Sequence, residues 1–170
     1  FNWASEPWIR SWSRISGNVW AEKFEDAGLE TQKSVLAEQD YGNYDDWVRH
    51  FEYLLPFFRD DRYVKREGKP LFIFYSPDDI KPIEEMSVCW RELARRAGLP
   101  GLFLVGARMN GPKSCLDAAL IYEPRNSINA LNHADKLEIR NGIRCFDYQM
   151  AWEKVLESQP FFEYKTYFCG

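Results

Sequence analysis

Apolar positions in this chain gather in short unbroken runs, separated by segments where they return every three or four residues. That change of period predicts strands alternating with helices. Lys69-Pro70 leads into Leu71-Phe72-Ile73-Phe74-Tyr75, which closes at Ser76-Pro77 and reads as a strand covered on both faces. Shorter runs follow at Leu102-Phe103-Leu104-Val105 and Ala118-Ala119-Leu120-Ile121-Tyr122. Weaker strand candidates lie at Ile143-Arg144-Cys145-Phe146 and from Tyr164 to Phe168, and a further strand is expected to end near Trp3.

The clearest helical period runs from Ile83 to Ala97, where Met86, Trp90, Leu93 and Ala97 share a face. Glu84 and Glu85 in its first turn and Arg95 and Arg96 in its last complement the helix dipole, and Gly98 and Pro100 stop it. A second helix begins near Asp45 and places Trp47, Phe51, Leu54 and Phe58 on one face, with Pro56 expected to kink or end it. A third is capped by Asp147 and is expected to bury Ala151, Trp152, Val155 and Leu156 before Pro160. Between Gly17 and Gly42 the pattern is mixed, with one helix expected around Thr31 to Glu38.

Doubly covered strands alternating with amphipathic helices imply a parallel sheet with right-handed crossovers, an α/β architecture. No strand is followed by a G-x-G-x-x-G or G-x-x-x-x-G-K-[ST] loop, which weighs against a nucleotide-binding open sheet. The expected fold is an incomplete (β/α)8 TIM-type barrel with parallel strands, truncated at both ends. Residues 1–170 form a single partial barrel domain in this reading, since a complete barrel takes about 250 residues. Phe1 in place of an initiating methionine, and the apolar run Tyr164-Lys165-Thr166-Tyr167-Phe168-Cys169-Gly170 at the other end, suggest the truncation. Such a piece is expected to expose an unpaired sheet edge and to self-associate.

Composition narrows the classes of partner. The 170 residues are 45% hydrophobic and 16% aromatic, enough for one real core. A net charge of −4 with scattered Lys and Arg offers no basic stripe for nucleic acid. No apolar run reaches the roughly 20 residues of a transmembrane helix, and the N-terminus lacks a signal-peptide layout. Cys89, Cys115, Cys145 and Cys169 form no C-x-x-C pair, so they read as ordinary thiols of a reducing compartment, which points to the cytoplasm. His50 and His133 lie far apart without an H-E-x-x-H, so no metal or other cofactor is called for, and His50 is expected to be partly buried and structural. There is no G-x-S-x-G nucleophile elbow either.

Candidate chemistry concentrates at the start of the chain, where Trp3, Trp8 and Trp12 surround Glu6 and Arg10. Aromatic planes pack on the C–H faces of sugar rings while charged groups bind their hydroxyls; the same tryptophans also suit core anchors. In a parallel barrel the reactive groups sit where strands end, which selects Tyr75 with Ser76, Arg108 with Asn110, Glu123, and Asp147 with Tyr148. Asp147 also reads as a helix cap, and any polar strand end also reads as solvated loop. Glycosidic chemistry needs two carboxyl groups, and Glu6 is one candidate with aromatic company. Trp3 and Trp8 would raise its pKa by desolvation and Arg10 would lower it.

The segment Trp3-Ala4-Ser5-Glu6-Pro7-Trp8-Ile9-Arg10-Ser11-Trp12 resembles the W-A-N-E-N-W-T-R-R-W segment of the WbsX-like glycosyltransferase family, related to glycoside hydrolase family 99. The likeness continues through residues 50–65, from His50-Phe51-Glu52-Tyr53 to Tyr63-Val64-Lys65, and through Gly68-Lys69-Pro70-Leu71-Phe72-Ile73-Phe74-Tyr75. It resumes at Trp90-Arg91-Glu92-Leu93-Ala94 and Ala97-Gly98-Leu99-Pro100-Gly101, and more loosely at Leu116-Asp117-Ala118-Ala119. Ser5 and Pro7 replace the family's asparagines, and Ser13 stands where an aspartate follows the last tryptophan.

The resemblance implies a TIM-barrel carbohydrate-active enzyme tied to bacterial surface polysaccharide or lipopolysaccharide. Its substrate would be a glycan, nucleotide-sugar or oligosaccharide. By position Trp3, Glu6, Trp8, Arg10 and Trp12 would line the sugar site, with Tyr75 at the end of the next strand. Arg108, Glu123 and Tyr148 join them as strand-end candidates. The W-N-E-W-x-E-G-like segment that carries the hydrolase relatives' two key glutamates does not occur here. Glu6 therefore looks suited to binding or orienting a sugar, with the acid/base pair expected outside this chain. Transferase and hydrolase stay open, and the rival readings are a non-catalytic glycan-binding domain and a plain scaffold with buried tryptophans.

Overall fold

The computed structural model describes residues 1–4, 8–9, 35–37, 39–133, 138–141, 143–157 and 165–169. In chain order the strands are β1 (Asn2–Trp3), β2 (Trp8–Ile9), β3 (Val35–Ala37), β4 (Lys65–Arg66), β5 (Lys69–Phe74), β6 (Phe103–Ala107), β7 (Ala118–Tyr122), β8 (Glu138–Arg140), β9 (Ile143–Cys145) and β10 (Lys165–Cys169). The described helices are α1 (Tyr44–Arg59), α2 (Ile83–Arg96), α3 (Arg125–His133) and α4 (Tyr148–Leu156).

Five strands lie parallel in the order β1-β5-β6-β7-β10, so each successive strand adds to the same side. Asn2 stands opposite Ile73, Ile73 opposite Val105, and Val105 opposite Ala118. β4 pairs antiparallel with the start of β5 through a tight turn at Glu67 and Gly68, both with positive φ. The α/β class and its parallel strands agree with the sequence pattern. Among the described residues the sheet is open, with β1 and β10 at its two ends.

β6 is buried on both faces, whereas β5, expected to be covered on both, is buried on the face towards the helices and half-buried on the other. On one face Phe72, Phe74 and Leu104 meet Phe51, Leu54 and Phe58 of α1 and Met86, Trp90 and Ala94 of α2. Trp90 is wholly buried there, edge-on to Phe72 at 5.1 Å and stacked on Phe74 at 6.0 Å. Its indole N–H donates to the Trp47 carbonyl at 2.9 Å, which spares the core an unpaired donor. The opposite face carries a second cluster, Leu71, Ile73, Phe103, Val105, Ala118 and Leu120.

Local chemistry sets the helix ends. The Asn43 side chain accepts from the Asp45 N–H and Asp46 accepts from the Asn43 N–H, a reciprocal cap that starts α1. At the end of α2, Gly98 takes a φ of 82° and Leu99 donates back to the Ala94 carbonyl at 2.9 Å. Arg91 of α2 pairs with Asp117 at 2.7 Å, and the same carboxylate accepts the Leu104 N–H, fastening the helix to the sheet's lower edge.

Several expectations are corrected. Of the two effects expected of Pro56, ending the helix does not occur: α1 continues to Arg59. Pro56 falls in the last turn, and the Glu52 carbonyl it leaves without a partner belongs to an exposed residue that water can reach. Where a helix was expected, Val35–Ala37 is a strand, antiparallel to β2; this long-range pairing outweighs local propensity, and the rest of the span from Thr31 to Glu38 lies outside the described residues. β9 forms a separate hairpin with β8 and is no part of the parallel sheet. Consequently α4 packs on α3 and buries only Ala151, while Trp152 stays 49% exposed and Leu156 68% exposed. The weak candidate near the C-terminal end is β10, in register along all of β7. Among the described residues no helix is long and apolar enough to cross a membrane.

Candidate functional site

Parallel strands end on a common edge, and here the ends of β1, β5, β6 and β7 bring together residues from four parts of the chain. Tyr75 extends the β5 ladder by one residue, donating its N–H to the Trp3 carbonyl at 3.0 Å. Alternation places Tyr75 on the face of Leu71 and Ile73, and Tyr122 on the face of Ala118 and Leu120. Asn2, opposite Ile73, shares that face. The three side chains meet: the Tyr75 and Tyr122 rings lie 6.0 Å apart at 49°, and the Asn2 amide donates to the Tyr122 hydroxyl at 3.1 Å.

Arg108 completes the cluster, its guanidinium carbon 5.2 Å from the Tyr75 ring centroid. This is cation–π range. The local sequence explains the approach. Gly106 has no side chain where a Cβ would lie 2.3 Å from Met109 Sδ and 2.6 Å from Leu116 Cδ1, so Met109 folds back beneath the strand. Arg108 turns in between with a φ of 43°, a left-handed conformation that a non-glycine residue holds only where its surroundings fix it.

The other sequence candidates are placed differently. Glu123 is buried, with Oε2 accepting the Ser127 N–H at 3.1 Å, so this carboxylate caps the first turn of α3. Trp3 faces the helix layer, its ring 5.3 Å from His50, 6.1 Å from Phe74 and 6.2 Å from Tyr41. In a two-residue strand next to Asn2 it necessarily takes the opposite face, and there it anchors the core. Tyr148 is 78% exposed at the start of α4, which follows the separate hairpin and not a strand of the parallel sheet. Asp147 caps that helix through the Met150 N–H, as expected. The backbone of Trp8 lies in β2, and Glu6, Arg10 and Trp12 lie outside the described residues.

His50 sits edge-on between Trp3 and Trp90, at 5.3 and 5.0 Å, and burial lowers its pKa. It is a structural ring in the helix layer. Among the described residues no three His, Cys, Asp or Glu side chains are grouped to hold a metal. Sequence reasoning missed Tyr122 and Asn2 as site residues. Parity with Ala118 and Leu120 could have grouped Tyr122 with that face, whereas the face of Asn2 follows only from its pairing opposite Ile73.

Two tyrosine rings, a guanidinium and a side-chain amide therefore border one end of the sheet. The rings offer flat apolar faces with hydroxyl tips, and the cation and amide are donors for hydroxyl or acidic oxygens. The sequence profile of the family described as Glycosyltransferase WbsX matches residues 1–169. No curated protein and no solved structure matches the chain.

Proposed function

Because the chain belongs to the glycosyltransferase WbsX family, we propose that it supplies part of the sugar site of an enzyme acting on glycosidic bonds of a bacterial surface polysaccharide. The observation that carries this reading is the Tyr75–Tyr122 pair with Arg108 stacked on it at the C-terminal edge of a parallel sheet. A sugar ring lies with its C–H face on the tyrosines and its hydroxyls towards Arg108 and Asn2. The family motif assigns Trp8, Arg10, Trp12 and Glu6, which follow β1 in the chain, to the same sugar. Glu6 orients the sugar, and the acid/base pair comes from outside this segment. Donor and acceptor are a nucleotide-sugar or oligosaccharide and a glycan.

Two observations support a barrel as the frame. The strands are added in chain order, as in a singly wound barrel. Tyr122 also stands four residues beyond Ala118, the residue three pairing steps from Asn2, a stagger close to the roughly one residue per strand of an eight-stranded barrel of shear eight. The free thiols at Cys89, Cys115 and Cys145 support a reducing, cytoplasmic setting.

A non-catalytic glycan-binding role is favoured by a different observation. Glu123 and Asp78, carboxylates of the loops at this edge, are engaged by the α3 backbone and by Lys113 respectively. Binding of the chain to immobilised oligosaccharides, compared with Tyr75→Ala, tests the sugar site; equal binding by both counts against it. Turnover of a bound oligosaccharide or nucleotide-sugar by the chain together with the part that supplies the acid/base pair separates enzyme from binding module.

A further inference from the structure

We infer that Asp78 is the positioning residue that holds the Arg108 guanidinium over the Tyr75 ring, by clamping the loop after β6 to the loop after β5. The role in sugar binding rests on the site proposed above. Asp78 belongs to a single helical turn, Pro77–Asp79, which begins two residues after Tyr75. Its two carboxylate oxygens act separately. Oδ2 accepts the Asn110 N–H at 2.7 Å, and Oδ1 pairs with Lys113 Nζ at 2.8 Å.

The two anchors fall two and five residues beyond Arg108, so the carboxylate grips the stretch that leaves the strained residue. On the other side of Arg108, the close seat of Met109 against Gly106 fixes the turn that leaves β6. Arg108 is therefore held from both directions, which is the condition for a left-handed non-glycine residue to persist. The Asp78 and Lys113 side chains are only 24% and 27% exposed, so solvent screens this pair less than a surface ion pair. Burial pushes the Asp78 carboxyl up, but the Lys113 ammonium and the Asn110 N–H outweigh it and leave its pKa lowered. The carboxylate is thus kept in the form that can hold both anchors.

Without such a clamp, the loop would have to be ordered each time a sugar bound, at a cost in conformational entropy. With it, the cation is already seated on the ring. The same carboxylate therefore joins the two loops that contribute Tyr75 and Arg108.

The test is the ring-current shift that Tyr75 imposes on the Arg108 side-chain protons in the NMR spectrum of the unliganded chain, assigned with Tyr75→Leu. Asp78→Ala is expected to lose most of this shift. Asp78→Asn, whose amide oxygen still accepts from Asn110, is expected to recover part of it, and Lys113→Met to lose an intermediate amount. A folded Asp78→Ala protein with the parental shift overturns the clamp. If Asp78→Ala does not fold, parental shifts in both Asp78→Asn and Lys113→Met overturn it equally. The readout needs no sugar, so failure of the unaltered chain to bind any oligosaccharide refutes the sugar site and leaves the clamp standing.

Discussion

The Asn2 amide donates to the Tyr122 hydroxyl at 3.1 Å although three inter-strand steps separate their strands. On a flat sheet, three steps across and four residues along would separate the two Cα atoms by roughly 19 Å. Two such side chains and one hydrogen bond reach about 13 Å at full stretch. The contact therefore requires the sheet to curl towards the face that carries both residues. Tyr75 lies on the same curled face, and this brings the two rings together.

Tyr122→Phe removes the acceptor of Asn2 and leaves the ring in place. Asn2 is exposed and can turn to water, so the expected cost is small, about 0.5–1.5 kcal/mol in denaturant unfolding. Oligosaccharide binding is expected to weaken less than in Tyr122→Ala, which also loses the aromatic face. Equal losses in the two variants would show that the hydroxyl, and not the ring, does the binding.

Gly106→Ala puts a methyl group against Met109 Sδ and Leu116 Cδ1, with Pro77 Cγ 3.1 Å away. Met109 and Leu116 are both buried, so the site must repack, at about 1–3 kcal/mol. A combined Gly106→Ala, Met109→Ala chain is expected to lose less stability than the sum of the single losses. Full additivity in thermal or denaturant unfolding would mean that the two positions are independent.

The lowered pKa of His50 gives a pH dependence of definite sign. The unfolded chain takes up this proton near pH 6.5, and the folded chain only at lower pH. Stability from this residue is complete above about pH 6.5 and falls as the pH drops towards the folded value. His50→Gln cannot titrate, so its melting temperature is expected to approach or overtake that of the unaltered chain between pH 7.5 and 5. A constant difference across that range would remove His50 from the account.

Trp90 and Trp152 should respond in opposite ways. Trp90→Ala empties the centre of the helix layer and removes the indole donor that ties it to the Trp47 carbonyl, for an expected loss of about 3–5 kcal/mol. Trp152→Gln alters a half-exposed side chain and is expected to stay within about 0.5 kcal/mol. Urea unfolding of both variants checks the contrast.

Much of the fold was legible because its signals are local. The run Leu71 to Tyr75 became a strand as read, buried on the face towards the helices and half-buried on the other. Ile83 to Ala97 carried its stop signal, and the helix ends at Arg96, one residue short of the expected Ala97. Val35–Ala37 and β9 were harder, because a partner strand elsewhere decides whether a short apolar segment pairs and into which sheet. Trp152 and Leu156 misled for a related reason: their spacing fits a buried face, but among the described residues α4 packs on α3 and both side chains stay exposed.

At the site, strand-end position drew attention to Tyr75 and Arg108 separately, and the structure brings the two together. Strand-end position could not assign faces. Asn2 and Trp3 are adjacent in sequence, and the tryptophan's size made it the natural choice for a sugar platform. Only the side taken by α1 and α2 shows that Trp3 belongs to the core and Asn2 to the curled face.

The sequence by itself determined the central strands β5, β6 and β7, the helices α1, α2 and α4, and the parallel class, because hydrophobic period and capping act over a few residues. The tertiary structure decided which face of each strand the helices cover, how the register steps from strand to strand, and how far the sheet curls. Those quantities accumulate over strands distant in sequence, so the meeting of Asn2, Tyr75, Arg108 and Tyr122 has no local signature in the chain.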